Sequence, residues 1–152
     1  MSRYSAGATR TIQNAANGPD FQIRPTGTTQ RLYVVEIGLN VGTTALGTAA
    51  SLYLSRSTAT GTITTTLAGQ PHDPADAAAI GTVDSAFSVN PTFSTTNFIR
   101  KGGLPTAIGS TLIWTFYDKP LVVTNATTAG LVIANVAAVA SGVIECYFTW
   151  EE

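Results

Sequence analysis

Residues Gln30 to Val41 read QRLYVVEIGLNV, and the reading of this stretch decides the fold class. Tyr33, Val35, Ile37, Leu39 and Val41 fall on one face of an extended chain, while Leu32, Val34, Glu36 and Asn40 fall on the other. The same period of two, broken by turn residues, begins at Phe21 and runs to the C-terminal end. Ser51 to Ser57 places Leu52 and Leu54 opposite Tyr53, and Thr62 to Leu67 is a Thr-rich strand. Thr58 to Gly61 between them is expected to turn a hairpin. Further strands are expected at Val83 to Val89, near Phe93 to Arg100, and at Thr111 to Tyr117. Leu121 to Thr124, Gly130 to Val136 and Gly142 to Trp150 complete the set.

Two segments depart from this pattern. In HDPADAAAIG, Asp73 suits a helix N-cap, Pro74 the first helical position and Asp76 the positive end of a helix. Ala77 to Ala79 favour continuation and Gly81 a stop, so one short helix is expected near residues 73–80. The first twenty residues, MSRYSAGATRTIQNAANGPD, carry scattered apolar side chains and read as a flexible N-terminal arm. The expected organisation is an arm over 1–20 and a single antiparallel β-sandwich or barrel over 21–152, with about eight strands.

Composition excludes several function classes. Only 11% of the 152 residues are charged and the net charge is -1, against about 25% charged in an ordinary soluble domain. The 25 threonines supply polarity instead. No basic field of the kind that binds nucleic acid is present, and 44% hydrophobic content is too high for a disordered chain. Pro120 to Ile144 is interrupted by Thr, Asn and Gly, so no membrane helix is expected, and residues 1–20 lack the apolar block of a signal peptide. The single Cys146, in GVIECYFTW, reads as a buried core residue of a protein made in a reducing cytoplasm.

Candidates for chemistry are few. His72 beside Asp73 and Asp76 has two readings: a general base or weak metal site, or a turn histidine before a capped helix start. The second is preferred. Glu36 and Glu145 lie within strands, and a glycosidase would need such a pair roughly 5–9.5 Å apart. There is no P-loop, no G-x-G-x-x-G and no G-x-S-x-G elbow. The chain is therefore read as a non-enzyme with no cofactor and no metal. Trp114, Phe116, Phe148 and Trp150 alternate along strands, as core residues do. In that reading Tyr117 and Tyr147 sit on the opposite face or at a subunit contact; a carbohydrate platform is the other reading.

The succession LYVVEIGLNVG, SLYLSRSTATGTIT, PHDPADAAAIGT, LIWTFYDKPLVVT and GVIECYFTWEE resembles small structural proteins of tailed bacteriophages that decorate or cement the capsid. The resemblance spans most of residues 30–152. It implies a jelly-roll-like β-sandwich, a place on the outer capsid surface of the virion, the major capsid protein as partner, and a homo-oligomer, trimer or dimer. It implies no catalytic residue. In such a role Arg3, Tyr4 and Arg10 of the arm become the candidate capsid contacts, since Arg and Tyr are over-represented at binding hot spots. The competing readings are another virion part (tail, collar or fibre-associated) and a carbohydrate-binding module built on Trp114 or Trp150.

Overall fold

Alternating side chains and frequent Gly, Pro and Asn breaks leave the chain little choice but short antiparallel strands. The computed structural model describes residues 1–152 and contains thirteen of them and no helix. They are β1 (Arg3–Thr11), β2 (Pro19–Pro25), β3 (Leu32–Val41), β4 (Ala50–Ala59), β5 (Thr62–Ala68), β6 (Gln70–Pro71) and β7 (Gly81–Val89). After these come β8 (Thr92–Phe93), β9 (Arg100–Leu104), β10 (Thr111–Thr115), β11 (Leu121–Val123), β12 (Gly130–Asn135) and β13 (Val143–Glu151). One sheet runs β10-β3-β13-β1-β6, with β11 also on β3; the other runs β5-β7-β2-β12-β4-β8, with β9 also on β4. The two sheets enclose one apolar core that includes Phe21, Ile37, Leu54, Ile133, Phe148 and Trp150. The β-sandwich expected from the sequence is what forms.

The N-terminal arm is corrected. Residues 3–11 form β1, paired with β13 from Arg3↔Glu151 to Thr11↔Val143, and β1 lies between β13 and β6. Its alternation is built from small side chains: Tyr4, Ala6 and Ala8 are buried while Arg3, Gly7 and Thr9 are exposed. A strand does not need bulky inward residues when the space opposite is filled by its partners. Here Trp150 supplies the bulk, stacking on Tyr4 at 6.1 Å between ring centroids.

The short helix near 73–80 is also corrected. Asp73 accepts a hydrogen bond from Ala75 N (2.9 Å), and Asp76 N donates to the Asp73 carbonyl (3.0 Å), so the segment closes a local turn and goes no further. One turn of Ala-rich helix has no stability of its own, and neighbours claim its backbone. Tyr4 Oη donates to Ala77 O, and the Glu152 carboxylate accepts from Ile80 N. Below this loop Gly69 and Gly81 rest on the Trp150 indole. A Cβ on either would fall 2.4 and 2.6 Å from ring atoms, so only glycine permits the approach.

Two further departures have local causes. The register between β13 and β3 slips where Thr149 faces Glu36 and Trp150 faces Val34, which leaves Val35 as the extra residue of a bulge. Inward parity therefore changes along β3: Leu32 and Val34 face the core, then Ile37, Leu39 and Val41. The expected β4–β5 hairpin does not form either. Gly61 (φ +70°) packs against Val89, Asn90 and Pro91, so the β4–β8 ladder continues, kinked, as the β5–β7 ladder. The far end of that ribbon pairs with β2 through β7.

Removal of residues 1–11 is expected to abolish the cooperative thermal transition in circular dichroism, whereas loss of a free arm would leave it unchanged. Trp150→Ala is expected to cost about 3–5 kcal/mol in denaturant unfolding, the range for a large aromatic removed from a core.

Candidate functional site

The three residues expected to reach a partner are used inside the fold. Arg3 Nη2 pairs with Glu151 Oε1 across the β1–β13 ladder at 2.6 Å. Tyr4 is buried beneath the 69–81 loop. Arg10 caps the open end of the sandwich, where Nη1 donates to the carbonyls of Pro19 (3.2 Å) and Asp20 (2.9 Å) and Nε stands 3.7 Å from the Asp20 carboxylate. Burial raises the Asp20 carboxyl to about 7, against the opposing pull of the Gln13 backbone N–H and the Arg10 charge. Cys146 is a free, buried thiol whose pKa burial pushes well up.

Other charges are also occupied. Arg24 pairs with the buried Asp84 at 2.8 Å, and Thr66 donates to the same carboxylate. Arg56 and Arg100 donate to the Val122 and Ile99 carbonyls, and Arg100 and Lys101 lie over the rings of Phe116 and Phe98. No group of three or more His, Cys, Asp or Glu side chains is placed to hold a metal, and no helix is long and apolar enough to cross a membrane.

The residues weighed for chemistry are scattered. Glu36 and Glu145 both face outward on the first sheet but sit four positions apart in register, roughly 13 Å along the strands. Glu145 accepts from Asn40 Nδ2 (2.9 Å), and Arg56 reaches neither carboxylate. The aromatic residues divide as alternation requires. Trp114 and Trp150 are 7% and 0% exposed, which removes both as a sugar platform, while Tyr117 and Tyr147 emerge on the outer face at 57% and 37%.

That outer face holds the one constellation the sequence did not single out. Tyr117 Oη and Tyr147 Oη both donate to the Glu36 carboxylate, Tyr147 at 2.7 Å. These two hydrogen bonds, Tyr117 first, hold the Glu36 pKa below the usual carboxylate range. The Glu36 carboxylate in turn pushes the Tyr147 phenol up to about 12. The register places Ile113, Gly38, Tyr147 and Gly7 in one row across β10, β3, β13 and β1. Tyr147 lies across Gly38, where a Cβ would fall 2.0 Å from its ring. Beside the Tyr147 ring, between the first sheet and the β5–β6 segment, opens a cleft of about 720 Å³. His72 stands at this cleft, its Nε2 3.2 Å from Ser5 Oγ. In Tyr147-Phe148-Thr149-Trp150 the side chains alternate outward and inward, so an outward tyrosine is the signal the sequence carries, while the glycine opposite it follows only from the register.

At the sandwich end, Asp20 holds its proton to higher pH in the folded chain than in the unfolded one. Its contribution therefore favours the native state as pH falls from about 7 toward 4 and opposes it above 7. Denaturant midpoints at pH about 5 and about 8 should differ less in Asp20→Asn than in the parent by this share. Identical pH dependence in the two proteins would place Asp20 in water. Comparison with protein-family models and with curated proteins returns no match.

Proposed function

We propose that the protein is a non-enzymatic structural component of a tailed-phage virion, bound to the outer surface of the capsid as a decoration or cement subunit. The strand order carries this reading. With β5 to β8 taken as an extension of the β4–β9 hairpin and the three-residue β11 set aside, the other eight strands run β1-β13-β3-β10 and β2-β12-β4-β9. That order supports reading the sandwich as jelly-roll-like, an architecture used by viral capsid and lectin domains. A jelly roll alone does not assign a function, so the surface has to support it.

Two surface features do. The charges are largely satisfied within the chain, and threonines on exposed strands leave a neutral exterior with little electrostatic bias toward a charged ligand. The free edge strand β10 and its flanking loops expose Ile108 (62%), Ile113 (56%) and Tyr117 (57%). Large apolar groups on an otherwise polar surface mark a protein contact. This edge, in place of the N-terminal residues, is the proposed capsid-facing or copy-to-copy contact. A subunit that binds only the assembled lattice stabilises it by mass action, and a trimer or dimer on the lattice fits such an edge.

The test is microscopy and calorimetry on the particle. The protein should be present at a fixed ratio to the major capsid protein, and heads stripped of it should melt at lower temperature. Ile113→Asp should reduce retention on heads while leaving the unfolding of the isolated domain within about 0.5 kcal/mol, as for an exposed site. Density on the tail or collar, or absence from the particle, would overturn the capsid assignment.

A further inference from the structure

The cleft beside Tyr147 has the chemistry of a saccharide site, and we propose that it binds a neutral oligosaccharide. The cleft reaches from Glu36 on β3, the neighbour of β10, across β13 to β1 and β6, and it is argued from its own lining and not from the exposed apolar groups at β10. The platform comes first. Tyr147 occupies the space a side chain on Gly38 would fill, its hydroxyl is tied to Glu36, and it still lines the cleft. An aromatic ring fixed at both ends, with surface left open to a cavity, offers the apolar contact that the C–H face of a sugar ring needs. It also loses little conformational entropy on binding.

The walls supply the rest. Gln70, Ser5, Thr66, Thr149 and His72 surround the ring. Amide, hydroxyl and imidazole groups both donate and accept, which matches sugar hydroxyls. Gln70 is exposed, so its amide is open to a ligand. Glu36 has accepted two phenol hydrogen bonds and retains lone-pair sites for ligand hydroxyls. No lysine or arginine lines the cleft, which disfavours phosphorylated or sulfated ligands. A quaternary ammonium would use the rings and the carboxylate but leave the hydroxyl and amide groups without partners. The volume of about 720 Å³ lies within the roughly 300–1,000 Å³ of small-ligand sites.

The experiment is an amide NMR titration of the full chain with cello-, xylo-, malto-, manno- and chito-oligosaccharides. Concentrations up to roughly 10 mM reach millimolar affinities. At least one should shift resonances confined to residues 5–7, 66–72 and 147–149. Tyr147→Ala should weaken that binding about tenfold or more, and Tyr147→Phe, which keeps the ring, should weaken it less. Gly38→Ala, which displaces the ring, should behave as Tyr147→Ala does. Gln70→Ala, at an exposed position outside the core, should weaken binding even if the tyrosine variants fail to fold. No shift with any sugar, shifts elsewhere, binding undiminished in Tyr147→Ala or in Gln70→Ala, or choline binding in place of sugars would each overturn the proposal.

Discussion

The pairing of β1 with β13 is the constraint on which the molecule rests. Nine consecutive residue pairs join the two ends of the chain, and Ser2 and Glu152 exchange backbone hydrogen bonds just beyond them. β13 also pairs with β3 along its length, so the first sheet exists only when these three strands meet. Trp150 gives the pairing its depth. It stacks on Tyr4, fills the space under Gly69 and Gly81, and donates from Nε1 to Glu152, whose carboxylate pins the loop above. The W-E-E ending is thus a structural latch: an indole under the loop, a carboxylate for Arg3 and a carboxylate for the loop backbone.

Low charge and the polar core belong together. Arg10–Asp20 closes one end of the sandwich, and Arg24–Asp84 is held in the second sheet with Thr66. Buried pairs of this kind add little net stability and are costly to break. Arg24–Asp84 ties β2 to β7 within one ladder, and Arg10–Asp20 ties β1 of the first sheet to β2 of the second. What remains outside is hydroxyl and amide surface on a rigid body, interrupted by the aromatic row on the first sheet. Tyr147 and Tyr117 stand out there because the surrounding residues are glycine, threonine and serine.

The sandwich was legible because its large residues alternate: Trp114, Phe116, Phe148 and Trp150 all turn inward, with Tyr117 and Tyr147 outward. β1 was not legible by size, since its inward residues are one tyrosine and two alanines, and only their spacing marked it. The 73–80 segment carries every local sign of a helix start. Asp73 does bond the backbone as a cap would, but tertiary partners take the next turn. The bulge at Val35 could not be read from β3 alone, because a bulge is a property of two strands. The tyrosine–glutamate cluster escaped for a related reason: Glu36, Tyr117 and Tyr147 are distant in sequence and meet only through the register.

The closure of the first sheet by its last strand also sets a timetable for synthesis. Chains emerge N-terminal end first, at about 5–20 residues per second, and early domains usually fold as they appear. Here β1 leaves the ribosome with only the two-residue β6 to pair with before β13 follows, and β3 meets β10 and β11 first but gains its longest partner last. Completion of the first sheet is therefore a late event, since β13 is the strand that joins β1 to β3. Until then, the exposed edges of β1 and β3 belong to a nascent chain whose protection falls to chaperones or to speed.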